Sequence, residues 1–479
     1  MERFRVAENR VLDVDGHSFL FLVRENAIFE VAPEMKILLD RCSSNGDLSR
    51  DEILARIGRS PEDSVKTFNG LVRRRVIETR TDKAASPTGA QATGYSIPIS
   101  TLVLHVTDDC NMGCLYCYRP PREKASNRPP EEKRMMTPEV AERAIDFLFE
   151  RSGSLKKMVL VFFGGEPFLN FDLIRVAVKH AKQKAEESGK KIDFAVTTNG
   201  TLLTDAAVRF IQENEIGVTV SIDGFEKAHD RYRRFADGSP SYSAIVPNVA
   251  ELVRASDRRP VVARVTVAGG AEDVPVILDH LLEMGFAEVG FAPVTTCDPS
   301  YQLDDDCMKQ LLCRFGALSE RFLSAAAHSD FFGFSNLIDL LVALHEGEVK
   351  SYPCGAGIGL FSVDPEGRLY LCQRLTGEER FCMGDLTRGL DDSKLRIFRG
   401  QAEADRKEAC GSCWARTVCA GGCYHESLVR EGDLTAPNLH YCEWIKSWLE
   451  MGLRVYGRIA LDRPEYLDKL SIMRGHASA

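Results

Sequence analysis

Three cysteines within eight residues, Cys110, Cys114 and Cys117 in the run CNMGCLYC, constrain this chain more than any other feature. Thiolates at this spacing take three corners of an iron–sulfur cube and leave its fourth iron without a protein ligand, whereas storage and electron-transfer clusters usually have four cysteines. An iron open in this way is a place for a substrate to bind. A closed tetrahedral zinc site needs a fourth Cys or His, and the run has none, so that reading must borrow a distant ligand from the later cysteines.

The run resembles the signature of radical S-adenosylmethionine (SAM) enzymes, which carry this cysteine pattern with an aromatic before the last Cys, here Tyr116. The resemblance implies that the open iron chelates the amino and carboxylate groups of SAM, and that an electron from the reduced cluster splits the sulfonium to release a 5′-deoxyadenosyl radical. In such enzymes the cofactor does the difficult chemistry and the protein orients and shields it.

Further motifs follow in order. The apolar run MVLVFF ends in Gly164, Gly165, Glu166 and Pro167; glycines after a buried strand let backbone approach a ligand, with a carboxylate left at the strand tip. A Gly-Gly pair alone reads as a plain turn, but the resemblance assigns this one to the SAM amino group. Strand-like FAVTTNG ends at Asn199 and Gly200, VTVSIDG carries Ser221 and Asp223, and VARVTV carries Arg264. Alternating strands and helix-length segments indicate a parallel sheet, whose ligands sit at the carboxyl ends of the strands. Taken singly, these polar residues also fit loops or helix caps. Under the resemblance, Ser221 and Arg264 hold SAM's ribose and carboxylate, with Asn199 and Asp223 lining the same mouth. A sixth strand, EVGFAPV around Phe291, completes the family's fold, an α/β partial (β/α)6 TIM-like barrel.

The last third carries an independent signal: Cys354, Gly367 and Cys372, then Cys410, Cys413, Cys419, Cys423 and Cys442. These are too many cysteines for one metal. Their gaps resemble those of the SPASM extension, which binds two auxiliary iron–sulfur clusters in radical SAM enzymes acting on peptides and proteins. The resemblance groups Cys410, Cys413, Cys419 and Cys442 as a complete set and Cys354, Cys372 and Cys423 as an incomplete one, giving three [4Fe-4S] clusters in all. No cysteine lies between Gly355 and Phe361 to complete the second set. Either its cluster keeps an open iron, which a substrate thiolate could fill, or Cys382 closes it. Cys42, Cys297, Cys307 and Cys313 read as buried small apolar residues.

Length and composition agree with a layout of several domains: 479 residues, 44% of them hydrophobic, at roughly 150 residues per domain. Residues 1–80 read as a separate winged-helix-like unit: strands SFLFLV and AIFEV around Arg24, Glu25 and Asn26, helix PEMKILLDRC, a Ser49/Glu52 capping box, and Pro61 at a first helical position. This unit resembles the PqqD-like domain that grips a leader peptide by adding it as a strand. Residues 81–98 read as a flexible linker, with a tether from Thr81 to Tyr95. The barrel is expected over 99–300, a helical bridge over 301–350, the SPASM domain over 351–450 and a helical tail over 451–479. No apolar run is long enough to span a membrane, and MERFRVAENR lacks a signal-peptide core, so a cytoplasmic location is expected. A soluble intracellular chain with clustered cysteines favours metal centres over disulfides, and a net charge of −9 argues against a nucleic-acid partner.

The resemblance implies radical modification of a peptide or small protein carrying a leader segment, with flavodoxin or ferredoxin as electron donor. The length, amino-terminal unit and CWARTVCAGGC wording look most like enzymes that form thioether links. Among these are maturases of the quinohemoprotein amine dehydrogenase small subunit, which join Cys sulfur to side-chain carbons of Asp or Glu. Three rivals stand beside this reading. A sulfatase maturase carries an Asp base directly after the second SPASM cysteine, where this chain has Gln373. A carbon–carbon cross-linking maturase shares every motif, and a non-catalytic iron–sulfur or zinc scaffold leaves GGEP without a purpose. Asp385, Asp405 and Glu426 lie near cysteines, but surface carboxylates are usually just solvated, and no catalytic base is assigned.

Overall fold

Along MVLVFF, burial alternates. Met158, Leu160 and Phe162 are wholly buried while Val159, Val161 and Phe163 are half-buried, so the strand Lys157–Gly164 packs one face on helices and turns the other to a partly open interior. In the computed structural model, which describes residues 2–43, 47–79, 97–119, 134–256, 258–270 and 273–475, this strand is second of six parallel neighbours. Thr101–Thr107, Lys157–Gly164, Lys191–Thr198, Gly217–Ser221, Val262–Val267 and Glu288–Pro293 lie side by side in chain order. Helices such as Pro138–Arg151, Phe171–Ser188, Asp205–Glu213, Tyr242–Ala255 and Val274–Glu283 connect them. The expected α/β fold with a parallel sheet is present. The tether from Thr81 to Tyr95 lies outside the described residues.

The sheet does not stop at the sixth strand's partner edge. Leu360–Val363 pairs in parallel with Thr101–Thr107, from Leu360 opposite Thr101 to Val363 opposite Leu104. Arg368–Tyr370, Cys382–Asp385 and Gly389–Leu390 then continue antiparallel, making one ten-stranded sheet. The cysteine-bearing last third is thus stitched to the first barrel strand, whose outer edge would otherwise present unpaired N–H and C=O groups.

The described residues among the first eighty form two three-stranded antiparallel sheets and three helices. A meander of Asn9–Val14, His17–Leu22 and Ala27–Val31 stands beside a sheet in which Arg3–Val6 is flanked by Leu48–Ser49 and Ile77–Thr79. Helix Arg50–Ile57 opens on the Ser49/Glu52 capping box, and Pro61 begins Pro61–Arg73. The middle strand of the meander packs on two cores. Phe19, Leu20, Phe21 and Leu22 are all 2% exposed or less, and a strand apolar on both faces must be covered on both. Leu20 and Leu22 join the unit's own core with Leu38 and Phe68, whereas Leu12, Val14, Phe19 and Phe21 join the main core. There a Cβ on Gly457 of helix Cys442–Asp462 would lie 3.2 Å from Val14 and 3.3 Å from Phe19. Arg416 locks the junction by donating to both carboxylate oxygens of Glu8, at 2.7 and 2.5 Å. No described helix is long and apolar enough to cross a membrane.

Candidate active site

The cysteine run forms the loop after the first barrel strand, and backbone holds it from both sides. Gly165 donates to the Thr107 carbonyl at 2.9 Å and Glu166 to the Asp109 carbonyl at 2.8 Å. Opposite, Gly113 donates to Arg234 O, Leu115 to Tyr232 O and Ala236 to Asn111 O, at 2.8, 2.9 and 3.1 Å. The glycine pair makes this approach possible: a Cβ on Gly164, whose φ is +150°, would lie 2.3 Å from Thr107 O, and one on Gly165 only 1.9 Å from Asp109 O. The backbone that these glycines admit here is the loop's own.

Cys110 and Cys114 are half-buried and Cys117 is exposed. Burial pushes the Cys110 thiol up to about 12; the Met112 N–H opposes the rise, while Glu166, Cys114 and Cys117 add to it. Burial also raises Cys114, and Cys117 adds to that rise against the Arg233 charge. Thiols that repel one another's ionisation in this way fit a positive multi-iron centre, which requires them deprotonated.

Glu166, 1% exposed, works as a bolt. Its Oε1 accepts from Phe168 N at 3.2 Å and Thr198 Oγ1 at 2.7 Å, and its Oε2 from Asn199 N at 2.7 Å. Burial raises its pKa to about 7 against these hydrogen bonds. Asn199 passes the connection on, its Nδ2 reaching Asn111 Oδ1 at 2.9 Å and Cys110 Sγ at 3.8 Å. Tyr116 and Asp223 also meet. The tyrosine hydroxyl donates to Asp223 Oδ2, Arg233 Nη1 donates to that hydroxyl at 2.9 Å, and Asp223 Oδ1 accepts from Thr266 N at 2.9 Å. Asp223 and Arg233 are 4% and 8% exposed. Arg233 stands in RYRRF with nothing in its spacing to single it out, and sequence reasoning missed it.

Behind this group, His229 accepts from Asp223 N at Nδ1 (3.2 Å), while Nε2 faces Ser241 Oγ (3.0 Å), which itself donates to the Arg233 carbonyl (2.9 Å). These contacts assign the neutral Nε2–H tautomer. A proton on Nδ1 would face the Asp223 N–H; burial first, then the Arg233 charge, lowers the His229 pKa to about 3. A histidine depressed in the folded state contributes stability above its unfolded pKa near 6.5 and loses it as pH falls toward 3. Urea unfolding of the apoprotein is expected to show up to about 5 kcal/mol of loss across that window, and His229→Gln should flatten this part of the profile.

The inner sheet face forms a trough. Ser221, Arg264 and Gly290 lie in one row across three strands, and Arg264 Nη1 occupies the space above Gly290, 3.2 Å from where a Cβ would be. Arg264 is exposed at the surface, yet the protein packed around its base and then the charge of Arg374 lower its pKa.

The later cysteines gather in two places. Burial raises Cys410 to about 11, Lys407 opposes the rise, and Cys419, Cys442 and Cys413 add to it. Burial raises Cys372 to about 12, with Cys423 and Cys354 adding. Cys382 sits in the strand opposite Tyr370, its thiol directed to Gly384 O at 3.3 Å. Among the described residues no three His, Cys, Asp or Glu side chains converge as a single ion would need. Cys42 is buried as expected and Cys307 half-buried, but Cys297 and Cys313 are exposed, since one lies in the loop after the last barrel strand and the other on the outer face of helix Asp305–Ala327. None of the three carboxylates near cysteines is free. Asp385 accepts from Thr387 N and Arg388 N, each at 2.8 Å, Asp405 pairs with Arg416 at 3.3 Å, and Glu426 takes Arg430 at 2.5 Å and the Thr295 hydroxyl.

Residues 104–279, from the first barrel strand through the helix after the fifth, match the Radical SAM superfamily. The matched stretch is similar to a radical SAM domain. It is 33% identical over 156 residues to the serine-type anaerobic sulfatase-maturating enzyme of Bacteroides thetaiotaomicron, a match covering 32% of this chain and 36% of that one. The chain thus spans little more than a third of that relative's length. It is 24% identical over 364 residues to the radical SAM cyclopropyl synthase TigE of Paramaledivibacter caminithermalis, covering 73% of this chain and 72% of TigE. Its fold is similar to native anSMEcpe with bound AdoMet and Cp18Cys peptide, with a TM-score of 0.64 at 19% identity, covering 76% of this chain and 99% of the other.

Proposed function

We propose that this radical SAM protein modifies a ribosomally made peptide or small protein, joining a Cys sulfur to a side-chain carbon of Asp or Glu. One observation supports it most: Cys423 and Cys354 both stand close enough to Cys372 to add to the burial-driven rise of its thiol, and Cys423 does the same at Cys354, while Cys382 turns its thiol to a carbonyl of its own strand. A three-cysteine set leaves an iron for a substrate thiolate. The relatives that act on sulfatases carry, by the resemblance, an Asp where this chain has Gln373, a side chain that cannot serve as a carboxylate base.

When bound, the first cluster and SAM supply the hydrogen-abstracting radical. The protein's share is placement. Cys110, Cys114 and Cys117 hold the cluster, the GGEP turn and Asn199 set the loop against the strand tips, Ser221 and Arg264 face SAM from the trough, and Tyr116 and Asp223 brace the loop through Arg233. The other cysteines would hold two auxiliary clusters, which would supply a route for the surplus electron. The PqqD-like front domain takes the leader, and a flavodoxin or ferredoxin delivers the priming electron.

Mass spectrometry of a small Cys-rich protein encoded beside this chain, after co-expression, tests the reading. Each link should remove one pair of hydrogens, and fragmentation should place the bond between sulfur and an acidic residue. A formylglycine or a carbon–carbon bond would overturn the thioether assignment.

A further inference from the structure

The first and sixth barrel strands are the two rims of the trough, and one side chain from the auxiliary segment reaches both. Arg374, two residues past Cys372, lies over the Tyr118 ring just after the first strand's cysteine loop, 5.4 Å from its centre. Its Nη1 donates to the hydroxyl of Thr295, just past the sixth strand, at 3.0 Å. The carboxylate of this network, Glu426, is engaged by Arg430 and Thr295. No described carboxylate forms an ion pair with Arg374, and among the described residues the Arg264 guanidinium, unlike its backbone, has neither hydrogen bond nor ion pair.

The same junction holds unmet hydrogen-bonding capacity. Among the described residues, Tyr118 Oη, Gln373 Oε1 and His425 Nδ1 are buried without partners, and the Tyr118 and His425 rings meet edge to face with centres 5.4 Å apart. Buried polar atoms rarely remain unsatisfied. Like charges sharing a partly desolvated space repel strongly, and an anion between them reverses the sign. A guanidinium offers a planar fork that fits a carboxylate with two hydrogen bonds.

We propose that Arg374 binds an acidic side chain of the substrate and so selects the Asp or Glu that is modified. This rests on the thioether reading above. Arg264, whose Nη1 lies over Gly290 of the sixth strand, is left for SAM.

The test uses the full chain reconstituted with iron and sulfide, and two fluorescein-labelled peptides, Gly-Cys-Gly-Gly-Asp-Gly and its Asn counterpart, with binding followed by anisotropy. The Asp peptide should bind at least about tenfold more tightly, the scale of one charge-assisted hydrogen-bond pair. Arg374→Gln should bring the ratio near one, and Arg374→Lys should restore part of it. Equal affinities in the unaltered protein, or no binding of either peptide, would overturn the proposal. So would an Arg374→Gln protein that keeps the preference but binds SAM more weakly, since the guanidinium would then serve the cofactor. Should Arg374→Gln fail to assemble its clusters, Thr295→Val removes the hydroxyl that aims the fork and that also donates to Glu426; it should lower the ratio, and an unchanged ratio counts against the site. An Asp preference that persists while the coupled product proves not to be a thioether sinks the chemistry and leaves the acid site standing.

Discussion

Cys114→Ala is expected to lower reductive cleavage of SAM to 5′-deoxyadenosine by more than about 100-fold, beyond the 10- to 100-fold typical of losing a partner one shell out from a metal. Cys114 is the middle of the three loop thiols, half-buried and beside Arg233. Its loss leaves two ligands where the cube needs three, so iron per chain should fall by about one cluster. Cys313→Ala, on an exposed helix face away from the loop, should change neither value. Chromatography of the cleavage product with an iron assay reads both. If cleavage persists in the Cys114 variant, the cysteine run does not hold the catalytic cluster.

Gly165→Ala is expected to be the most damaging single methyl group in the protein. The added carbon would stand 1.9 Å from Asp109 O, 2.4 Å from Asp109 C and 2.9 Å from Cys110 N. All three are backbone atoms of the cluster loop, so no rotamer change relieves the clash. The loop must leave the strand tip, losing the hydrogen bonds of Gly165 and Glu166 to Thr107 and Asp109 and shifting Cys110 from its partners. A cost beyond about 4 kcal/mol, in the exceptional tail of point substitutions, should appear as a lower unfolding midpoint with poor iron incorporation. Gly189→Ala is the control for composition. Its φ of +64° carries some strain, but nothing lies within 4 Å of the added carbon, so it should cost far less and spare the iron. Normal iron content in Gly165→Ala would show that the loop is held by something other than this crossing.

Local patterns were legible because they depend on near neighbours. The capping box at Ser49 and Glu52, Pro61 at a helix start and six parallel strands in chain order all follow from rules that act within a few residues. The strand Arg3–Val6 went unread because its partners are Leu48–Ser49 and Ile77–Thr79, and four residues carry little periodicity. Arg233 was hidden for a similar reason. Its importance lies in facing Asp223 and Tyr116 from another segment, and such a meeting leaves no mark in the RYRRF spacing.

By itself the sequence determined the chemistry available: which thiols stand close enough along the chain to share a cluster, and where strands end in polar residues. Those depend on chain distance and side-chain type. Only the tertiary structure decided that the glycine pair serves the loop's own backbone, that Glu166 is bonded on both oxygens, and that the amino-terminal meander and auxiliary sheet join the barrel rather than hang from it. It also brought Arg374 to both rims of the trough. Contacts of this kind form between segments far apart in the chain, where close packing and the need to pair every buried polar group select one arrangement among many.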